Sequence, residues 1–136
     1  MGSRACGLVI RAGKLLVQRK RDETIWALPG GKLERGETPE AALVREFAEE
    51  LGWTPVILET LWVFENQFTH EGKDLAQTEY YFLVAADCLP GEILSLEESL
   101  EFCWVSHGEL MALNFRPFEM RAAVEKLLTA GREYNP

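Results

Sequence analysis

Histidine and cysteine are scarce in this 136-residue chain: two of the former, three of the latter. His70 and His107 lie far apart and cannot make a zinc site by themselves. Cys6, Cys88 and Cys103 are odd in number, widely spaced and form no CxxC pair, which suits a reducing, cytoplasmic setting with buried thiols better than a disulfide framework. No apolar run approaches membrane-spanning length, and the start lacks the charged-apolar-small order of a signal peptide, so no membrane partner is expected. Positive charge is also short. Fourteen Lys and Arg face twenty-two Asp and Glu, a net charge of −8, which argues against a grip on a nucleic-acid polymer. There is no GxSxG for a serine hydrolase, no internal repeat and no low-complexity tract.

What remains is ordinary for a folded enzyme-sized domain. Apolar residues make up 47% and charged residues 26%. The length suits one domain with a real core, spanning 1–136, with residues 1–4 expected to add little to it.

The informative stretch is Gly30 to Trp53. Thr38 reads as an N-cap, Pro39 as the first helical residue, Glu40 as a first-turn acid and Gly52 as the C-terminal stop. At about 100° per residue, Leu43, Val44, Phe47, Ala48 and Leu51 form one apolar arc, while Glu46, Glu49 and Glu50 share another. Like charges three and four residues apart destabilise a helix by a few tenths of a kcal/mol per pair, roughly. Arg45 is the obvious local counter-charge. A divalent cation would turn the repulsion into coordination, and an all-oxygen set suits Mg²⁺ or Mn²⁺. In front of the helix, Leu28-Pro29-Gly30-Gly31-Lys32 is a turn whose glycines let backbone approach a ligand closely. A P-loop fails here, because Glu37 stands where GKLERGET would need the phosphate-binding lysine.

Gly31, then Glu37 after five residues, then Arg45-Glu46-Phe47-Ala48-Glu49-Glu50-Leu51-Gly52-Trp53 after seven more, fills every specified position of the Nudix box. The chain resembles the Nudix hydrolase family, MutT-like members included. Trp53 departs mildly from the aliphatic residue more usual there. The resemblance implies an α/β/α sandwich with a mixed β-sheet and metal-dependent hydrolysis of a nucleoside diphosphate linked to another group. It implies Glu46, Glu49 and Glu50 as metal ligands, with the Gly31 carbonyl beside them, and Glu37 and Arg45 as residues that fix the loop and helix. Glu50 is also a candidate proton acceptor. The implied partner is a nucleotide-type small molecule, and a homodimer is a further expectation, since family members often pair.

Along the chain, Cys6 to Ile10 and Lys14 to Arg19 read as strands around Arg11-Ala12-Gly13, the second with one face only partly buried. The basic run Arg19-Lys20-Arg21 could meet phosphates, and with Trp26 and Lys32 it forms the candidate substrate-binding set. Val56 to Phe64 and Glu79 to Ala86 read as a hairpin with a mobile tip at His70-Glu71-Gly72-Lys73. Pro90-Gly91-Glu92 breaks the chain, Phe102 to Val105 is a short strand, and Ser106 with Glu109 forms a capping box. A last helix spans about Phe118 to Leu128, with Gly131 beyond it. Glu98, or Glu97, occupies a loop from which some family members supply a further ligand. Glu79 heads a strand and could face the site or solvent. Phe64, Tyr80 and Tyr81 could stack on a base or fill the core. The rival reading is a Nudix-like module that binds a nucleotide without hydrolysing it.

Overall fold

The computed structural model describes residues 2–86 and 93–130. Cys88, the Pro90-Gly91-Glu92 break and Gly131 fall outside these described residues. Two sheets form the middle of the molecule. The first is mixed and four-stranded, in the order β4 (Gly30–Lys32), β1 (Ser3–Leu8), β6 (Lys73–Val84), β5 (Ile57–His70). Within it β1 runs parallel to β6 and the other pairs are antiparallel. The second is antiparallel, with β3 (Lys14–Lys20) between β2 (Ile10–Arg11) and β7 (Leu100–Val105).

Helices cover both sides, and the sequence alternates accordingly. Tyr81 and Leu83 of β6 join Leu15 and Val17 of β3 in a cluster with Leu110, Phe115, Val124 and Leu128. Phe82, Val84 and Leu16 point the other way, into a cluster with Leu43, Phe47 and Leu51. The first cluster is closed by α2 (His107–Ala112) and α3 (Arg121–Thr129), the second by α1 (Pro39–Leu51). This is the mixed α/β/α sandwich. It also alters the reading of β3: Leu15, Leu16 and Val17 are all fully buried, because a strand packed on both faces has no half-exposed side.

Helix α1 forms where its signals place it. The Thr38 hydroxyl accepts from the Ala41 amide, Pro39 occupies the first turn, and Gly52 is left-handed and donates to the Ala48 carbonyl. Ser106 and Glu109 close a reciprocal capping box on α2. The final helix is broken into a 3-10 turn, Phe118–Met120, followed by α3. The hairpin differs more. Pairing runs unbroken from Glu65↔Thr78 to His70↔Lys73, and Glu71-Gly72 make the turn with both φ positive. Residues 65–78 lacked the alternation of a strand because this part of the ribbon is largely exposed and has little apolar face to bury.

Phe47 fastens α1 to the sheet. It is fully buried, lies edge-on to Trp53 at 5.5 Å between ring centroids, and its ring fills the space beside Gly7. Phe47→Ala is expected to lower the unfolding free energy by about 3–5 kcal/mol. Thr38→Ala, which removes only the cap, is expected to cost about 1 kcal/mol. Urea denaturation of both variants beside the parent measures the difference.

Candidate active site

Two glycines bring a strand against the acidic helix. Gly30 pairs with Cys6 of β1 at φ +150°, where a side chain would run into the Ala5 backbone. At Gly31 a Cβ would fall inside the Glu46 carboxyl group. A side chain here would displace that carboxyl.

Arg45 ties this strand to the helix. Its Nε donates to Glu37 Oε2 at 2.8 Å and a terminal nitrogen to Glu37 Oε1 at 3.0 Å, a bidentate pair. The same guanidinium donates to the Lys32 carbonyl at 2.9 Å and to Glu46 Oε1 at 3.0 Å. Glu34 and Glu49 lie within 3.2 and 3.4 Å. Glu37 in turn accepts from the Glu34 amide at 2.7 Å. The hydrogen bonds from Arg45, then that from the Glu34 amide, hold the Glu37 carboxyl below the usual carboxylate range.

The three helix carboxylates are not equivalent. Glu46 and Glu50 converge beside Gly31, whereas Glu49 stands on the flank, half exposed and paired with Arg45. Glu50 is buried, and its Oε1 has no hydrogen-bond partner. Burial first, then the contact with Glu46, pushes its pKa up to about 8, with Glu97 adding to the rise and Arg4 opposing it. Glu98 is exposed, and its carbonyl accepts from Arg21 at 2.9 Å.

Glu46, Glu50, Gly31 and Lys32 line an open cavity of about 440 Å³ together with Arg19 and Lys20. Arg19 is held twice. Its Nε and a terminal nitrogen donate to Glu101 Oε2 at 3.1 and 2.9 Å, and its guanidinium lies 4.9 Å over the Trp26 ring. Trp26 therefore supports the cavity wall through Arg19 and packs its own ring against the core. Phe64 and Tyr81 also belong to the core.

Arg4 and Gln18 complete the cavity, and sequence reasoning singled out neither. Arg4 acts on Glu50 only because β1 pairs with β4, and Gln18 is a buried strand residue whose Oε1 is unpartnered. No local pattern marks either position. Their role exists only in the paired sheet.

The residues fit a hard divalent cation. The donors are all oxygen, a buried carboxylate oxygen is left without a partner, and Gly31 gives Glu46 its space. Among the described residues no three His, Cys, Asp or Glu side chains already converge as a closed cage. Open coordination positions for water and phosphate oxygen match the behaviour of Mg²⁺, which gives up its water reluctantly.

The raised Glu50 pKa fixes a sign. The folded value near 8 exceeds the ordinary carboxyl value of 4.5, so the Glu50 contribution to stability is present below pH 4.5 and lost as pH rises through about 8. A cation that takes the carboxylate must displace its proton. Titration of Mg²⁺ or Mn²⁺ into the protein at neutral pH is expected to release about one proton, and fewer as pH passes 8. Calorimetry in buffers of differing ionisation enthalpy measures it, and Glu50→Gln is expected to abolish the release.

The NUDIX domain model matches residues 1–127. Nucleoside triphosphatase NudI of Escherichia coli is 31% identical over 133 residues, covering 90% of this chain and 91% of that protein. The putative mutator protein MutT4 of Mycobacterium tuberculosis is 34% identical over 92 residues, covering 67% of this chain, and the chain spans 36% of that relative's length. In structure, the MutT protein of Bacillus halodurans superposes with a TM-score of 0.77 at 23% identity, covering 98% of this chain and 86% of that one, a likeness of fold. Among the described residues no helix is long and apolar enough to cross a membrane. The match over residues 1–127 and the near full-length NudI likeness place the chain in the NUDIX domain family.

Proposed function

We propose that the protein is a Mg²⁺- or Mn²⁺-dependent pyrophosphohydrolase. It acts on a nucleoside diphosphate linked to another group and releases a nucleoside monophosphate. The observation that carries this reading is the shared cavity, whose walls hold Glu46 and Glu50 together with Arg19, Lys20 and Lys32. A diphosphate needs both. Cationic side chains bind its outer oxygens, and the carboxylates hold the metal that sits against it. The likeness to the nucleoside triphosphatase NudI agrees with a phosphoanhydride substrate.

When bound, the divalent cation would polarise the phosphoryl oxygens and acidify water. The protein does the rest. Glu46 and Glu50 would hold the cation, with Glu49 on the flank and Glu98 on its exposed loop as further candidates. Arg45 and Glu37 do not touch substrate in this scheme. They are positioning residues that lock Lys32 and Glu46 to the same guanidinium. Glu50 is also the proposed proton acceptor, as a carboxylate that the cation has freed of its proton and that lines the same cavity as Glu46. Arg19, stacked on Trp26 and fixed by Glu101, presents a preorganised cation to the phosphates.

A nucleotide panel assayed with and without metal tests this. Turnover is expected only with Mg²⁺ or Mn²⁺, and Glu50→Gln and Gly31→Ala are each expected to lower kcat by about a hundredfold or more. Gly31→Ala acts by expelling the Glu46 carboxyl, so its circular dichroism should stay that of the parent. Nucleotide binding that is metal-independent, with no turnover anywhere in the panel, would instead identify a binding module.

A further inference from the structure

A second polar cavity backs onto the first. It measures about 220 Å³, and Arg4 and Ala27 belong to the walls of both. Glu79 lies in it, 3% exposed, directly opposite Arg4 in the parallel register of β1 and β6. Arg4 interacts electrostatically with both Glu79 and Glu50, so a single guanidinium is common to the two carboxylates.

Glu79 is oriented from two sides. The Tyr81 hydroxyl donates to Oε1, and Asn66 Nδ2 donates to Oε2 at 3.2 Å. Burial raises the Tyr81 phenol pKa, which keeps it a donor. A carboxylate offers about four acceptor positions, so two partners leave each oxygen able to accept again. A carboxylate this deep is a poor choice for stability alone, since a well-packed apolar residue in its place is often neutral or better. Here it faces a cavity. Arg116 stands at the rim, where its Nε donates to Asn114 Oδ1 at 3.0 Å, and its guanidinium carries further donors.

The cavity's contents decide its ligand. The buried Glu79 carboxylate calls for a ligand edge rich in donors, and the volume falls below the roughly 300–1,000 Å³ of pockets that bury a whole drug-sized ligand. It suits one ring system. We propose that this cavity receives the ring of the group joined to the diphosphate, and that Glu79 selects a ring presenting two adjacent N–H groups. That edge is the 2-amino-4-oxopyrimidine edge of guanine-type rings, whose ring N–H and exocyclic amino group match a carboxylate pair while the neighbouring carbonyl accepts from a guanidinium such as Arg116. Uracil and thymine offer one such donor, and adenine and cytosine place an acceptor beside their amino group. The placement of the diphosphate rests on the hydrolase reading above; the ring selectivity does not.

Guanosine and inosine nucleotides differ only in the 2-amino group, which makes them the direct probes. With metal, the parent is expected to favour guanosine triphosphate over inosine triphosphate by at least about tenfold in kcat/KM. Glu79→Gln is expected to narrow that ratio to within about threefold. Tyr81→Phe, which frees Glu79 without removing it, should narrow the ratio partway. Calorimetric binding of guanosine and inosine monophosphates without metal runs alongside, because it needs no catalysis. Guanosine-selective binding with no turnover of any nucleotide would support the cavity and overturn only the hydrolase reading. A parent ratio near one in both assays overturns the inference, whatever the variants do. So does a Glu79→Gln protein that slows both nucleotides equally and leaves their ratio intact.

Discussion

Everything at the site depends on one cation shared among carboxylates. Arg45 meets Glu37, Glu46, Glu34 and Glu49 within 3.4 Å and takes the Lys32 carbonyl as well. Without it the first turns of α1 and the loop before it would carry a cluster of like charges with no fixed geometry. With it, loop, strand and helix are welded through the five donors of a planar guanidinium. Lysine could not do this, because a single ammonium cannot address a bidentate carboxylate and a carbonyl in one plane. Arg45 leaves Glu50 outside its reach, and that omission gives the site its chemistry.

The fold then divides the labour along one helix. Phe47 and Leu51 bury into the sheet, Glu49 turns toward Arg45 and solvent, and Glu50 is pressed beside Glu46 under the Gly31 backbone. Burying a carboxyl against another carboxyl costs stability once it ionises. The mixed sheet makes the arrangement possible because β1 lies between β4 and β6, so one short strand shapes two cavities. Arg4 on that strand attracts both Glu50 and Glu79.

Much of this was legible in the residues, and the rest was not for identifiable reasons. Helix α1 could be bounded from Thr38, Pro39 and Gly52, since caps act within a turn and need no tertiary context. The Gly31-to-Trp53 box signalled the family because its spacing encodes a loop and a helix face together. The divergence of Glu49 from Glu50 was invisible, as both lie on the same helical arc until a sheet buries one of them. Glu79 could face either way in sequence; the parallel pairing with β1 turns it inward. Residues 65–78 gave no strand signal because their ribbon has little apolar face to alternate. Arg4 and Gln18 gained their places from contacts across many residues, which no local pattern records.

The central claim is that Glu46 and Glu50 hold a metal against the diphosphate of a nucleotide. It is tested most directly by ³¹P relaxation of a nucleoside triphosphate analogue whose α,β bridge is methylene, titrated with Mn²⁺ and protein. The account predicts strong paramagnetic broadening of the α and β phosphorus lines beyond that caused by Mn²⁺ alone, lost in Glu50→Gln. A nucleotide that binds equally well without Mn²⁺, with phosphorus lines the protein leaves unchanged when Mn²⁺ is present, would contradict it.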